Sequence, residues 1–142
     1  MNNDIVLQCE QPFDVRFSEV DMMGVAWHGS YMMYLEDARE AFGAKYGLSY
    51  CRYIEEDTMV PIVEMKLNYK KPITYGMRPI VRITYRPSES AKIIFDYEIY
   101  DSTTGETCLT AHSVQVFMDM NYNLLWYSPE VYTKGKIKMG LE

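Results

Sequence analysis

The chain has 142 residues and a formal net charge of −6, with 48% hydrophobic and 14% aromatic residues, so the expectation is one domain, spanning 1–142, with a packed core and no nucleic-acid partner. No apolar run approaches the ~20 residues that cross a bilayer, and the opening MNNDIVLQCEQ lacks the basic and apolar regions of a secretory signal. A cytoplasmic protein without a membrane partner is therefore expected, its widely spaced Cys9, Cys51 and Cys108 free thiols and its histidines too few and too distant for a metal site.

In chain order, the first predicted strand is Gln11 to Glu19, where Phe13, Val15 and Phe17 alternate with polar residues. Met22, Met23 and Gly24 turn the chain. A helix follows from about Ser30 to Tyr46, because Tyr31, Tyr34, Leu35, Ala38, Ala41, Phe42 and Lys45 fall at helical spacing. Ser30 is a plausible N-cap and Gly47 a good C-terminal stop. The remainder reads as strands: Met59 to Tyr69, Met77 to Arg86, Lys92 to Asp101, and Glu106 to Asp119 after a hairpin turn at Ser102–Gly105. In Lys92 to Asp101, Phe95, Tyr97 and Ile99 face one side and Asp96 and Glu98 the other. A tail from residue 121 completes the chain. One helix and about five antiparallel strands predict a curled sheet wrapped around the helix, with exposed sheet edges that an oligomer can pair.

Charge is unevenly placed. Between Lys66 and Lys92 lie seven basic residues and one acid, Glu89, a window of +6 in a chain whose remainder carries −12. Such a segment can attract a small polyanion, for instance a nucleotide phosphate, or can be no more than solvated strand and turn residues.

The segment Val15 to Arg39 carries the chemistry. Asp21 stands seven positions before His28, one of two histidines, and Gly29 and Ser30 lead into the helix. The first amides of a helix have no intrahelical acceptor and carry partial positive charge. The backbone N–H groups of His28, Gly29 and Ser30 are therefore candidates for binding a developing oxyanion, with Gly29 permitting close approach. Asp21 can act as a general base or as a nucleophile, or can be a turn residue bonded to local backbone. His28 can orient a carbonyl or a water, or brace Asp21. Glu19 reads as a solvated acid, Ser30 as a cap rather than a nucleophile, and His112 as structural. Met22, Met23, Met32 and Met33 flank the motif and can line a pliable pocket.

These residues resemble the hotdog-fold acyl-CoA thioesterases, in the 4-hydroxybenzoyl-CoA thioesterase branch. The branch pattern of an aromatic-rich strand, D-x-x-G-x-x-x-H, a small pair, an aromatic and E-x-A-R reads here as Asp21, Gly24, His28, Gly29-Ser30, Tyr31 and Glu36-Asp37-Ala38-Arg39. The stretch from Asn68 to Gly76 and the final strand, Ala111 to Asp119, are similar to later parts of the family, so the match covers about residues 11–120. One departure is Met77, where an Asp commonly follows the glycine.

The resemblance implies an α+β hotdog fold, thioester hydrolysis with catalytic Asp21 and His28, no metal and no cofactor beyond the CoA of the substrate. It implies a homodimer joined sheet edge to sheet edge, with two sites at the interface, which can associate further into a homotetramer. Tyr69 and Tyr75 are expected beside a pantetheine channel, and Lys70, Lys71 and Arg86 at the CoA phosphates. Three alternatives stay open: an acyl carrier protein as the thioester donor, a non-catalytic acyl-ligand binder, and a hotdog dehydratase, whose motif order fits less well.

Overall fold

The computed structural model describes residues 7–138. The first six residues and the last four, parts of the opening stretch and of the tail, lie outside the described residues. Within them, strands β1 (Leu7–Pro12), β2 (Ile62–Tyr69), β3 (Pro79–Arg86), β4 (Lys92–Asp101) and β5 (Thr107–Val116) form one antiparallel sheet in the order β1-β3-β4-β5-β2. Three helices accompany it: α1 (His28–Tyr46), α2 (Tyr50–Glu55) and α3 (Glu130–Lys138). This is the α+β hotdog arrangement expected from the sequence, a five-stranded antiparallel sheet around one long helix.

The α1 stripe is the one its spacing predicts. Tyr31, Tyr34, Leu35, Ala38 and Phe42 are buried, and Phe42 packs edge-on against Phe95 of β4 at 5.0 Å between ring centres. The inner sheet face comes from alternate residues: Val81, Ile83 and Tyr85 of β3; Ile93, Phe95, Tyr97 and Ile99 of β4; Leu109, Ala111 and Ser113 of β5. Burying side chains of this size stabilises the fold by about 1.5–3 kcal/mol each. The helix stops at Gly47, whose φ of 76° lies in the left-handed region and whose N–H donates to the Gly43 carbonyl.

The first strand differs from its prediction. β1 pairs with β3 only from Leu7 to Pro12, and Phe13 N–H makes one more bond to the Pro79 carbonyl at 3.2 Å. β3 begins at Pro79, so no partner remains for the residues that follow. They continue irregularly into a 3-10 turn at Phe17–Glu19. Phe13 and Val15 still face inward, Phe13 stacking on Tyr34 at 4.1 Å, whereas Phe17 is exposed.

β2 starts three residues later than predicted, because Pro61 lacks a ladder donor and the register shifts between Ile62 and Glu64. Met59 meets Met118 only as an isolated bridge, so β5 likewise ends early, at Val116.

Two helices have no counterpart in the sequence reading. α2 is six residues long with Tyr53 as its buried residue, too short for periodicity to register. α3 turns the tail into part of the core: Tyr132 is fully buried against Phe117, its hydroxyl shares a hydrogen bond with that of Tyr85, and Gly135 seats on Leu48. Among the described residues no helix is long and apolar enough to cross a membrane, and no group of His, Cys, Asp and Glu is placed to hold a metal ion.

Candidate active site

The loop before α1 is built by local backbone bonds. Asp21 N–H donates to the Val25 carbonyl at 2.9 Å, and Gly24 N–H to the Asp21 carbonyl at 3.0 Å. Gly24 has φ +75°, which permits the tight return. Asp21 Oδ1 accepts the N–H groups of Met23 (2.8 Å) and Val25 (3.3 Å). The carboxylate is exposed, with Oδ1 fixed by these two amides.

The loop is stitched to the segment following β2. Val25 bridges Thr74, Ala26 N–H donates to the Ile73 carbonyl (2.7 Å), Tyr75 N–H donates to the Gly24 carbonyl (2.9 Å), and Tyr75 packs edge-on against Phe17 at 5.8 Å. The two stretches of sequence, some fifty residues apart, therefore meet in the loop that carries Asp21, at Gly24, Val25 and Ala26.

Glu19 fixes the helix entry. Its backbone carbonyl accepts both Trp27 N–H (3.2 Å) and the Ser30 hydroxyl (3.0 Å). Its carboxylate accepts Arg16 N–H (2.8 Å) and the Tyr34 hydroxyl (3.0 Å). Burial, reinforced by that carboxylate, pushes the Tyr34 phenol well up. Glu19 is thus a bonded structural acid, not a solvated one.

Helix α1 begins at His28, two residues before its predicted start, with Trp27 in the cap position. Ser30 is consequently inside the first turn. It is not the N-cap: its side chain is fully buried and spent on Glu19, and its amide donates to the Trp27 carbonyl at 2.9 Å. That leaves the His28 and Gly29 amides, which have no acceptor among the described residues, as the available pair. His28 is exposed and lies edge-on to Trp27 at 5.5 Å; no hydrogen bond or ion pair joins it to Asp21. A Cβ on Gly29 would fall 1.9 Å from the Trp27 ring, so the space that glycine keeps open here is filled by Trp27.

The predicted substrate contacts separate. Tyr69 ends β2, half exposed, and packs edge-on against Tyr31 of α1 at 5.0 Å, which puts it near the amino-terminal half of the helix. Lys70 and Lys71 follow it, both amides held by the Cys108 carbonyl, with the Lys71 ammonium paired to Glu106. Arg86 does not join them. Tyr69 pairs with Leu109, Leu109 with Ile99 and Ile99 with Val81, and Arg86 lies five residues further along β3, about 17 Å at strand rise. There it pairs with Asp96 at 2.8 Å.

The basic window is likewise dispersed over the outer sheet face. Arg82 pairs with Glu98 (2.9 Å) and Glu10 (3.8 Å), and Asp96 also meets His112 at 2.7 Å. Alternation along β3–β5 directs these side chains outward, where Arg82 and Arg86 are paired with acids. Trp27 was missed by sequence reasoning; a tryptophan directly before a helix motif was the available signal.

The family model of the thioesterase-like superfamily matches residues 15–132. The Bacillus subtilis protein named "Putative acyl-CoA thioesterase YneP" is 28% identical over 110 residues, 78% of this chain and 79% of that protein. The solved structure of a DHNA-CoA thioesterase from Staphylococcus aureus is 25% identical, with a TM-score of 0.79 over 94% of this chain and 93% of the other. A 1,4-dihydroxy-2-naphthoyl-CoA thioesterase from Synechocystis superposes with a TM-score of 0.82 over 94% and 98% of the two chains; at 18% identity this is a likeness of fold.

Proposed function

This chain belongs to the thioesterase-like superfamily and is a thioesterase, and we propose that it hydrolyses acyl-CoA, releasing free CoA and a carboxylic acid. One observation carries the chemistry. A single loop-and-helix unit holds a carboxylate with one oxygen tied down and, three and four residues beyond Val25, two helix amides without acceptors among the described residues. The names of the Bacillus and Staphylococcus relatives support CoA as the donor.

The His28 and Gly29 amides receive the carbonyl oxygen as it gains negative charge, a contribution of ~3 kcal/mol per donor in comparable sites. Oδ1 of Asp21 is anchored, so Oδ2 does the work. As a base it takes a proton from water while the water oxygen bonds to the carbonyl carbon. The tetrahedral intermediate then collapses, the C–S bond breaks and CoA departs as a thiolate. With a thiol pKa of about 8.5, that departure needs little acid assistance near neutrality. As a nucleophile Oδ2 instead bonds to the carbonyl carbon, expels the thiolate and forms a mixed anhydride that water cleaves. His28 orients the thioester or the water. Tyr69 borders the pantetheine arm, and Lys70 contacts phosphate.

Asp21→Asn is the test, read by thiol release from a panel of short, long and aromatic acyl-CoAs. The expected result is a fall in kcat of about 10²–10⁴-fold with KM little changed. Hydrolysis at the wild-type rate would remove Asp21 from the chemistry, and no thiol release from any CoA ester by the wild-type protein would overturn the substrate assignment. Single turnover in isotopically labelled water separates the routes, because only the anhydride route can leave label in the Asp21 carboxylate.

A further inference from the structure

Trp27 stands at the entrance to α1 with its backbone held on both sides. Its N–H donates to the Glu19 carbonyl at 3.2 Å, and its carbonyl accepts the Ser30 N–H at 2.9 Å. The indole folds back over the first turn. A Cβ on Gly29 would fall 1.9 Å from Cζ3, 2.2 Å from Cη2 and 2.8 Å from Cε3, so the benzo edge of the ring lies against the Gly29 backbone. His28 meets the ring edge-on at 5.5 Å. The indole is still 47% exposed, an apolar wall beside the two amides that receive the carbonyl oxygen.

The two flanks of that amide pair differ. Residues two apart in sequence are about 200° apart around a helix, so Tyr31 lies on the opposite side of α1 from Gly29. Tyr69 packs edge-on against Tyr31 at 5.0 Å and belongs to that opposite side. Met33, four residues beyond Gly29, continues the Gly29 side by one turn and is 45% exposed. A thioester carbonyl carries two substituents, the sulfur and the acyl carbon. With the pantetheine arm on the Tyr69 side, the acyl group is directed toward Trp27 and then Met33.

These two side chains differ in stiffness. The indole is wedged against backbone, whereas methionine has three rotatable bonds and gives way. A methyl branch on the carbon next to the carbonyl meets the space that the ring fills; a straight chain passes on to Met33. We propose that Trp27 is a specificity-determining residue of the hydrolysis, admitting straight acyl groups and excluding those branched beside the carbonyl. This rests on the acyl-CoA reading and on the arm lying at Tyr69.

Thiol release from butyryl-CoA and isobutyryl-CoA tests it. The wild type is expected to favour the straight ester in kcat/KM, and Trp27→Ala to raise the branched-to-straight ratio about tenfold. The ratio is the readout because a merely structural role lowers both esters alike; an unchanged ratio in Trp27→Ala would overturn the proposal. No thiol release from either ester by the wild type would remove the acyl-CoA reading and this proposal with it, whereas hydrolysis with an unchanged ratio removes the proposal alone. A second measurement keeps Trp27 in place, in case Trp27→Ala does not fold. The chain has two tryptophans, and Trp126 is 86% exposed, so Trp126→Phe leaves Trp27 as the single indole. Combined with Asp21→Asn to slow turnover, butyryl-CoA should shift its emission saturably to shorter wavelength, and CoA alone should not. No shift with butyryl-CoA, or an equal shift with CoA, would overturn the assignment.

Discussion

The Glu19 carbonyl accepts from Trp27 N–H and from the Ser30 hydroxyl, and so sets where α1 starts and which of its amides stay free. Ser30 acts here as a brace, since no base is placed against it and its oxygen is enclosed. Ser30→Ala is therefore expected to lower unfolding stability by about 1 kcal/mol while leaving kcat within a few-fold of wild type. Denaturant melts and thiol-release kinetics on the same preparation check both halves; a large loss of kcat with stability unchanged would contradict the assignment. Gly29 was read as giving substrate room to approach, yet the Trp27 ring occupies the position a Cβ would take. The residue type was legible from the sequence; its neighbour was not, because a side chain folding back over its own helix leaves no periodic trace.

At the scale of elements, the outer sheet face is an ionic network spanning β2, β3, β4 and β5: Arg86, Asp96, His112 and Glu64 lie in a row, with Arg82 and Glu98 alongside. His112 was expected to be structural, and its bonds tie β5 to β4 and β2. Burial raises the Asp96 pKa, but the hydrogen bonds from His112 and Arg86 outweigh it and hold the carboxyl below the usual range. A group lowered in this way stabilises the fold above its unfolded value, about 3.9, and the stabilisation is lost as pH falls through the lower folded value. Asp96→Asn should therefore be less stable than wild type near neutrality, and the gap should close as acid protonates Asp96 in the folded protein. Thermal melts across that range test this; a gap that persists in strong acid would contradict it. The contribution is modest because the side chain is 38% exposed.

For the whole molecule, the sheet order leaves β2 at one edge, with Val63 and Tyr69 exposed on it. A hydrogen-bonding edge with apolar side chains is a pairing surface. We expect two copies to join there, so that light scattering at micromolar concentration gives twice the 16.7 kDa chain mass or a multiple of that. A monomeric mass would contradict it.

Periodicity and local turn chemistry determined the helix stripe from Tyr31 to Phe42, the alternation of β4 and its hairpin to β5. Each is a property of residues near one another in sequence, where backbone geometry alone sets which side chains share a face. Tertiary structure decided the rest. It ended β1 where β3 begins, placed Arg86 about 17 Å along the sheet from Tyr69, and folded α3 over Leu48. These outcomes depend on strand register and chain closure between residues far apart in sequence, which no local pattern encodes.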